Sequence, residues 1–207
     1  MDQPSSGRVQ AYRIALACVL AAATVGCTEA SGAPRLAADK PAVVELLQQS
    51  AMYDYGVTDG PAELAKLSDL VVLGRVTDAI EGRTLDAIGP HITLIVSVER
   101  TLRNANGYEV AKEVYVEVPS SADVTVGSFR SLVPTDRAVF FLDDRTAIPA
   151  TGDTGAPAGS PIFAPIPPGP VFQQGDLYVP TYEEIESMSS GWRDHRDFDA
   201  FVAATER

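Results

Sequence analysis

The sequence predicts a mainly β chain with flanking helices, an α+β domain built on a small antiparallel barrel or sandwich. Three observations predict it. Ile92, Leu94, Val96 and Val98 alternate with Thr93, Ile95, Ser97 and Glu99, and Val114, Val116 and Val118 alternate with Tyr115 and Glu117. That period of two is the pattern of half-buried strands. Two further runs, Leu70 to Val76 and Ala138 to Leu142, are rich in apolar, strand-favouring residues and follow turn signals at Ser68-Asp69 and Pro134-Thr135-Asp136. At either side of this β region, apolar residues recur at helical spacing instead.

Taken in chain order, Pro41 to Gln49 forms the first helix, with Pro41 in its first turn and Val43, Val44, Leu46 and Leu47 on one face. Tyr53-Asp54-Tyr55-Gly56 breaks it, and Pro61 to Leu67 makes a second short helical turn. The four strand runs follow. Seven of the fifteen prolines then fall between Pro149 and Pro170, interspersed with Gly152, Gly155, Gly159 and Gly169, which predicts a long irregular surface loop. Val171-Phe172 and Asp176 to Val179, separated by Gln173-Gln174-Gly175, are expected to pair as a hairpin. Phe198 to Thr205 is the terminal helix, capped by Asp197 and docked through Phe198, Phe201 and Val202.

The first residues have a different character. Arg8 and Arg13 precede an apolar stretch from Ile14 to Val25, and Gly26-Cys27 follows. A basic start, a short apolar body and small residues before a cut are the parts of an export signal. The apolar stretch is shorter than the roughly 20 residues that span a bilayer. The segment resembles bacterial lipoprotein signals, in which a small residue precedes a lipidated cysteine, although Thr24 stands where leucine is usual. The resemblance implies lipidation of Cys27 and a membrane partner reached through that anchor. Ordinary secretion with cleavage near Gly26 or Ala30, and an uncleaved anchor, remain open alternatives. The expected organisation is a signal peptide over 1–26, a flexible tether over 27–40 and a helical lead-in over 41–68. The β-barrel domain follows over 69–207, with its Pro/Gly-rich loop at 145–170.

The order of the strand runs is similar to exported bacterial proteins with an OB-like, netrin-type β-barrel. The matching stretches are Ser68 to Val76, Val98-Glu99-Arg100-Thr101-Leu102-Arg103, Val114 to Val118 and Arg137 to Leu142. The resemblance implies an OB-like barrel for the fold and carries no functional residues. Metalloproteinase inhibitors of that fold class use a free N-terminal cysteine and disulfides, and this chain lacks that arrangement.

Charge and cysteine content exclude several functions. The chain carries a net charge of −12. Removing residues 1–26 leaves 14 basic (16 − 2) and 27 acidic (28 − 1) side chains, a net charge of −13. Such a surface repels phosphate backbones, so nucleic acid is not an expected partner. Only Cys18 and Cys27 are present, and the first leaves with the signal while the second takes the lipid. The mature domain therefore has no thiol nucleophile, no disulfide and no cysteine metal site.

No catalytic, cofactor-binding or metal-ligating set stands out. His91 follows Gly89-Pro90 at a strand start and is expected in a turn or edge role, far in sequence from His195. Asp194, Asp197 and Asp199 are spaced as a helix N-terminus rather than a calcium loop. Asp143-Asp144 is expected in a solvated turn, and Ser120-Ser121 and Ser160-Pro161 lack a nucleophile elbow. Gly56, Gly60 and Gly74 make no phosphate cradle, and Trp192 is expected to staple the last helix to the core. The function these features imply is a non-enzymatic, envelope-tethered binding module for a protein or peptide partner. Its ligand-contacting surface is expected around His91 to Val98 and the 149–170 segment. The alternative is an exported hydrolase with a carboxylate site drawn from Asp143, Asp144 and Asp194.

Overall fold

A computed structural model describes residues 40–50, 58–86 and 88–207. The expectations for the leader, Cys27, most of the tether and the Tyr53 to Gly56 break lie outside the described residues. Within them the chain is mainly β with a few short helices, as the alternation predicts. Helices α1 (Ala42–Ser50) and α2 (Pro61–Leu67) come first. Strands β1 (Leu70–Leu85), β2 (Gly89–Asn104) and β3 (Glu113–Pro119) follow, then α3 (Val126–Arg130) and β4 (Ala138–Asp144). The remainder comprises β5 (Ala150–Thr151), β6 (Ile162–Pro165), β7 (Val171–Gln174), β8 (Leu177–Pro180), α4 (Ser190–Arg193) and α5 (Phe198–Thr205).

All eight strands belong to one sheet, in the order β5-β1-β2-β3-β6-β4-β7-β8, and β1 also pairs with β4. The pairings therefore run in a circuit, from β1 through β2, β3, β6 and β4 back to β1. Among the described residues only the β3–β6 pair is parallel, and it is short, with Tyr115 opposite Ile162 and Val116 opposite Phe163.

Burial on both faces explains why two runs were continuous rather than alternating. Leu70, Val72, Phe140 and Leu142 point into one core with Leu94, Val116 and Phe163. Val71, Leu73, Val139 and Phe141 point the other way, into a second core with α2, α4 and α5. A strand buried on both faces has no polar side to alternate with. The half-exposed β2 and β3 kept their alternation.

Helix α1 buries Val43, Val44 and Leu47 against the first core and packs on α3 and β3. Each such aliphatic side chain contributes about 1.5–3 kcal/mol when fully buried. Helix α5 ends the second core, where the indole of Trp192 lies 6.1 Å from Phe141 and 6.0 Å from Phe201, centroid to centroid. Its Nε1 donates to the Thr58 carbonyl at 2.8 Å, so the tryptophan staples three segments together. Gly191 is required beside it, because a Cβ there would lie 2.0 Å from the Asp59 carbonyl oxygen.

Several expectations need correction. The 145–170 segment is not one irregular loop: it supplies β5 and β6, and β6 links β3 to β4. Four residues bracketed by Pro161 and closed by Pro165 gave too short a pattern to show as a strand. Strand β1 extends nine residues past Val76, and register shifts at Val76/Asp78 and Glu81/Thr84 broke the period that would have revealed it. Helix α3 was not expected. It starts on a capping box in which Thr125 accepts from the Ser128 amide and Ser128 reciprocates, in place of the usual glutamate or glutamine. His91 does stand at the start of a strand, but on β2, which is paired on both sides, it is buried opposite Pro119 rather than in a turn or edge role. Asp143 and Asp144 end β4 half-buried rather than in a solvated turn.

Candidate binding site

The short β3–β6 seam leaves a concavity at each end. A cavity of about 560 Å³ lies where the two strands begin, between the approach to β3 and the Pro157 to Pro161 turn. Its walls include Leu70, Tyr108, Val110, Val114, Pro157 and Phe163, so they are largely apolar. Glu109, Lys112 and Glu113 stand on its exposed rim.

Tyr108 is the built element of this cavity. Its backbone is clamped by Asn104, whose Oδ1 accepts from the Tyr108 amide at 2.9 Å and whose Nδ2 donates to the Tyr108 carbonyl at 2.8 Å. The phenol packs edge-on against Phe163, centroids 5.2 Å apart, and its hydroxyl donates to Asp144 Oδ2 at 3.0 Å. Burial pushes the phenol pKa up, and the nearby Asp144 and Asp69 charges push the same way. Asp69 in turn accepts from Asn106 Nδ2 and from the Asp144 amide. The whole 104–108 turn is thus tied to the ends of β1 and β4.

Asp143 and Asp144 respond oppositely to this setting. Burial raises the Asp143 carboxyl, and the Asp69 carboxyl beside it adds to that rise against the pull of Arg145. Burial would raise Asp144 as well, but hydrogen bonds from Thr146 and Tyr108 outweigh it and hold that carboxyl low. Asp194 is not part of this group. It acts on Tyr178 and His195, where burial pushes the Tyr178 phenol up to about 12 and the His195 imidazole down. The three carboxylates singled out for a hydrolase are therefore not brought to one place, and none lines the cavities described here.

At the other end of the seam a recess of about 410 Å³ is bordered by His91, Glu117, Ser120, Arg145 and the exposed Ile88. Beneath it lies a buried ion pair that the sequence did not announce. Arg83 Nε and Nη2 donate to Glu117 Oε1 and Oε2, both at 2.8 Å, and Nη2 also donates to the Arg145 carbonyl at 3.0 Å. Glu117 raises the guanidinium pKa in return. His91 Nδ1 lies 2.9 Å from the Gly89 carbonyl, a contact that fixes its ring. This pair pins the chain leaving β4 onto the outer face of β3.

Of the regions named from sequence, His91 borders the recess together with Ala164 and Pro165 of the 149–170 segment, whereas the apolar cavity takes Pro157, Pro161 and Phe163 from that segment and nothing from His91 to Val98. The residues that the sequence reading missed are Tyr108, Lys112 and the Arg83–Glu117 pair. Tyr108 directly follows the Asn106-Gly107 turn signal, which was the one clue to an aromatic held at a loop tip. Near the C-terminus, Asp197 caps α5 by accepting from the Ala200 amide at 2.8 Å, as its position predicted. Among the described residues no three His, Cys, Asp or Glu side chains converge as metal ligands. No protein-family model and no curated protein matches the chain.

Proposed function

We propose that this chain is a non-enzymatic binding module, held on a bacterial envelope by acylated Cys27, whose folded part is an OB-like barrel. The barrel reading is supported by the five-strand circuit, by the parallel β3–β6 pair and by a helix between β3 and β4. The binding reading is carried by the 560 Å³ apolar cavity at the start of the β3–β6 seam. A concave apolar site with a few fixed polar groups is the usual form of a ligand pocket.

The anchor reading is supported by the basic start, the apolar stretch and the Gly26-Cys27 pair. A diacylglyceryl thioether and an added acyl chain would hold the protein stably where one chain would not. From Cys27 to Lys40 the extended backbone reaches at most about 45 Å. Helix α1 follows at once and packs on β3 and α3, with its last residue, Ser50, bordering the recess.

The test compares capture from envelope extracts by the tethered chain and by Ala111→Trp, which fills the cavity from an exposed position. Loss of the captured proteins on filling is the expected result. Equal recovery by both proteins contradicts the reading.

A further inference from the structure

We infer that the cavity takes an extended, lysine- or arginine-flanked peptide, which adds as a strand beside Glu109 to Val114. This inference rests on the binding reading above and names its ligand class. The first observation is an open backbone edge. Pairing of β3 with β6 begins only at Tyr115, and among the described residues Glu109, Val110 and Ala111 form no backbone hydrogen bond. The Lys112 carbonyl bonds inward, to the Val98 amide at 2.8 Å, so this stretch is already held in line with the sheet. An extended segment laid along it would satisfy these groups, and strand addition of this kind gives affinity through the main chain.

The second observation is where alternate side chains of that segment would go. The cavity floor of Val110, Val114, Tyr108 and Phe163 takes the apolar ones. The third is charge. Glu109 and Glu113 flank the edge against the single Lys112 on its rim, and Asp69 and Asp144 lie behind Tyr108. Arg145, at the end of β4, borders the opposite recess and is paired with Asp143 at 2.9 Å. An edge so charged in a chain of net charge −12 favours cations at the ends of the incoming strand.

The experiment uses the isotope-labelled chain and a synthetic heptapeptide alternating valine and threonine with a lysine at each end. The expected result is shifted and slow-exchanging amides within 109–114, with affinity weakened about tenfold by glutamate ends or by N-methylation of the threonine amides. Glu113→Lys, at an exposed position, should weaken the lysine-ended peptide several-fold and strengthen the glutamate-ended one. Equal affinity for both peptides, shifts confined to the recess near His91, or a dimer formed through these same amides would each overturn the inference. Those outcomes leave the broader binding reading standing. That reading falls separately if Ala111→Trp captures the same envelope proteins as the unaltered chain.

Discussion

Arg83 and Glu117 face each other through two parallel 2.8 Å hydrogen bonds, with side chains only 10% and 1% exposed. The pair joins the far end of β1 to the outer face of β3, and the third bond from Arg83 captures the Arg145 carbonyl. It therefore ties the chain leaving β4 to both β1 and β3.

Removing one partner leaves a buried charge alone. Glu117→Gln or Arg83→Met should lower unfolding stability by about 3–5 kcal/mol, measured by urea denaturation. The double change to apolar residues of similar volume should recover much of that loss, because no orphan charge remains. Additive losses would show that the two residues act independently.

Gly74 sits at a register shift where β1 comes close to β2. A Cβ there would lie 2.3 Å from the Ser97 carbonyl oxygen, a backbone atom that cannot swing aside. Gly74→Ala should cost about 1–3 kcal/mol, the usual range for overpacking. A neutral result in thermal unfolding would mean that the two strands can separate at this point without loss.

The raised Asp143 carboxyl gives a pH signature with a definite sign. Between its unfolded value, near 3.8, and its higher folded value, the native state binds more protons than the unfolded one. Stability attributable to Asp143 therefore falls as pH rises through that window and stays low above it. Asp143→Asn should be more stable than the unaltered chain at neutral pH, and the advantage should vanish below the ordinary carboxylate range. Denaturant midpoints across pH read this directly, and a variant less stable at neutral pH would show that the Arg145 contact outweighs burial.

Trp192 and Phe201 hold the last helix on the second core. Phe201→Ala should cost about 3–5 kcal/mol, as for other large-to-small changes at fully buried aromatics. Tyr178, stacked on Phe201 at 4.8 Å, should then lose part of the burial that pushes its pKa to about 12. An absorbance titration in which the Tyr178 transition stays put would show that its burial does not depend on Phe201.

Much of the fold was legible because burial writes itself into sequence period. The alternating β2 and β3 and the continuous starts of β1 and β4 each declared how many of their faces are covered. What stayed hidden had no period to show. Strand β6 is four residues that follow Pro161 and end on Pro165, the far half of β1 is interrupted by bulges, and α3 starts on a serine-based capping box. The site was half visible. Its Pro157 to Phe163 wall lies in the Pro/Gly-rich segment named from sequence, whereas the expected strand, His91 to Val98, reaches only the opposite recess. Tyr108 and the Arg83–Glu117 pair depend on contacts between residues 34 or more positions apart. Glu117 looked like an ordinary outward-facing residue until β1 and the chain after β4 were seen to cover it.

The seam between β3 and β6 is where the domain is proposed to meet its partner. Photo-crosslinking in living cells from a benzophenone side chain placed at Lys112, with the same group at exposed Leu67 as control, measures this most directly. Discrete adducts from position 112 that disappear in the Ala111→Trp background are the predicted result. Absence of adducts at 112, or the same adducts from position 67, would contradict it.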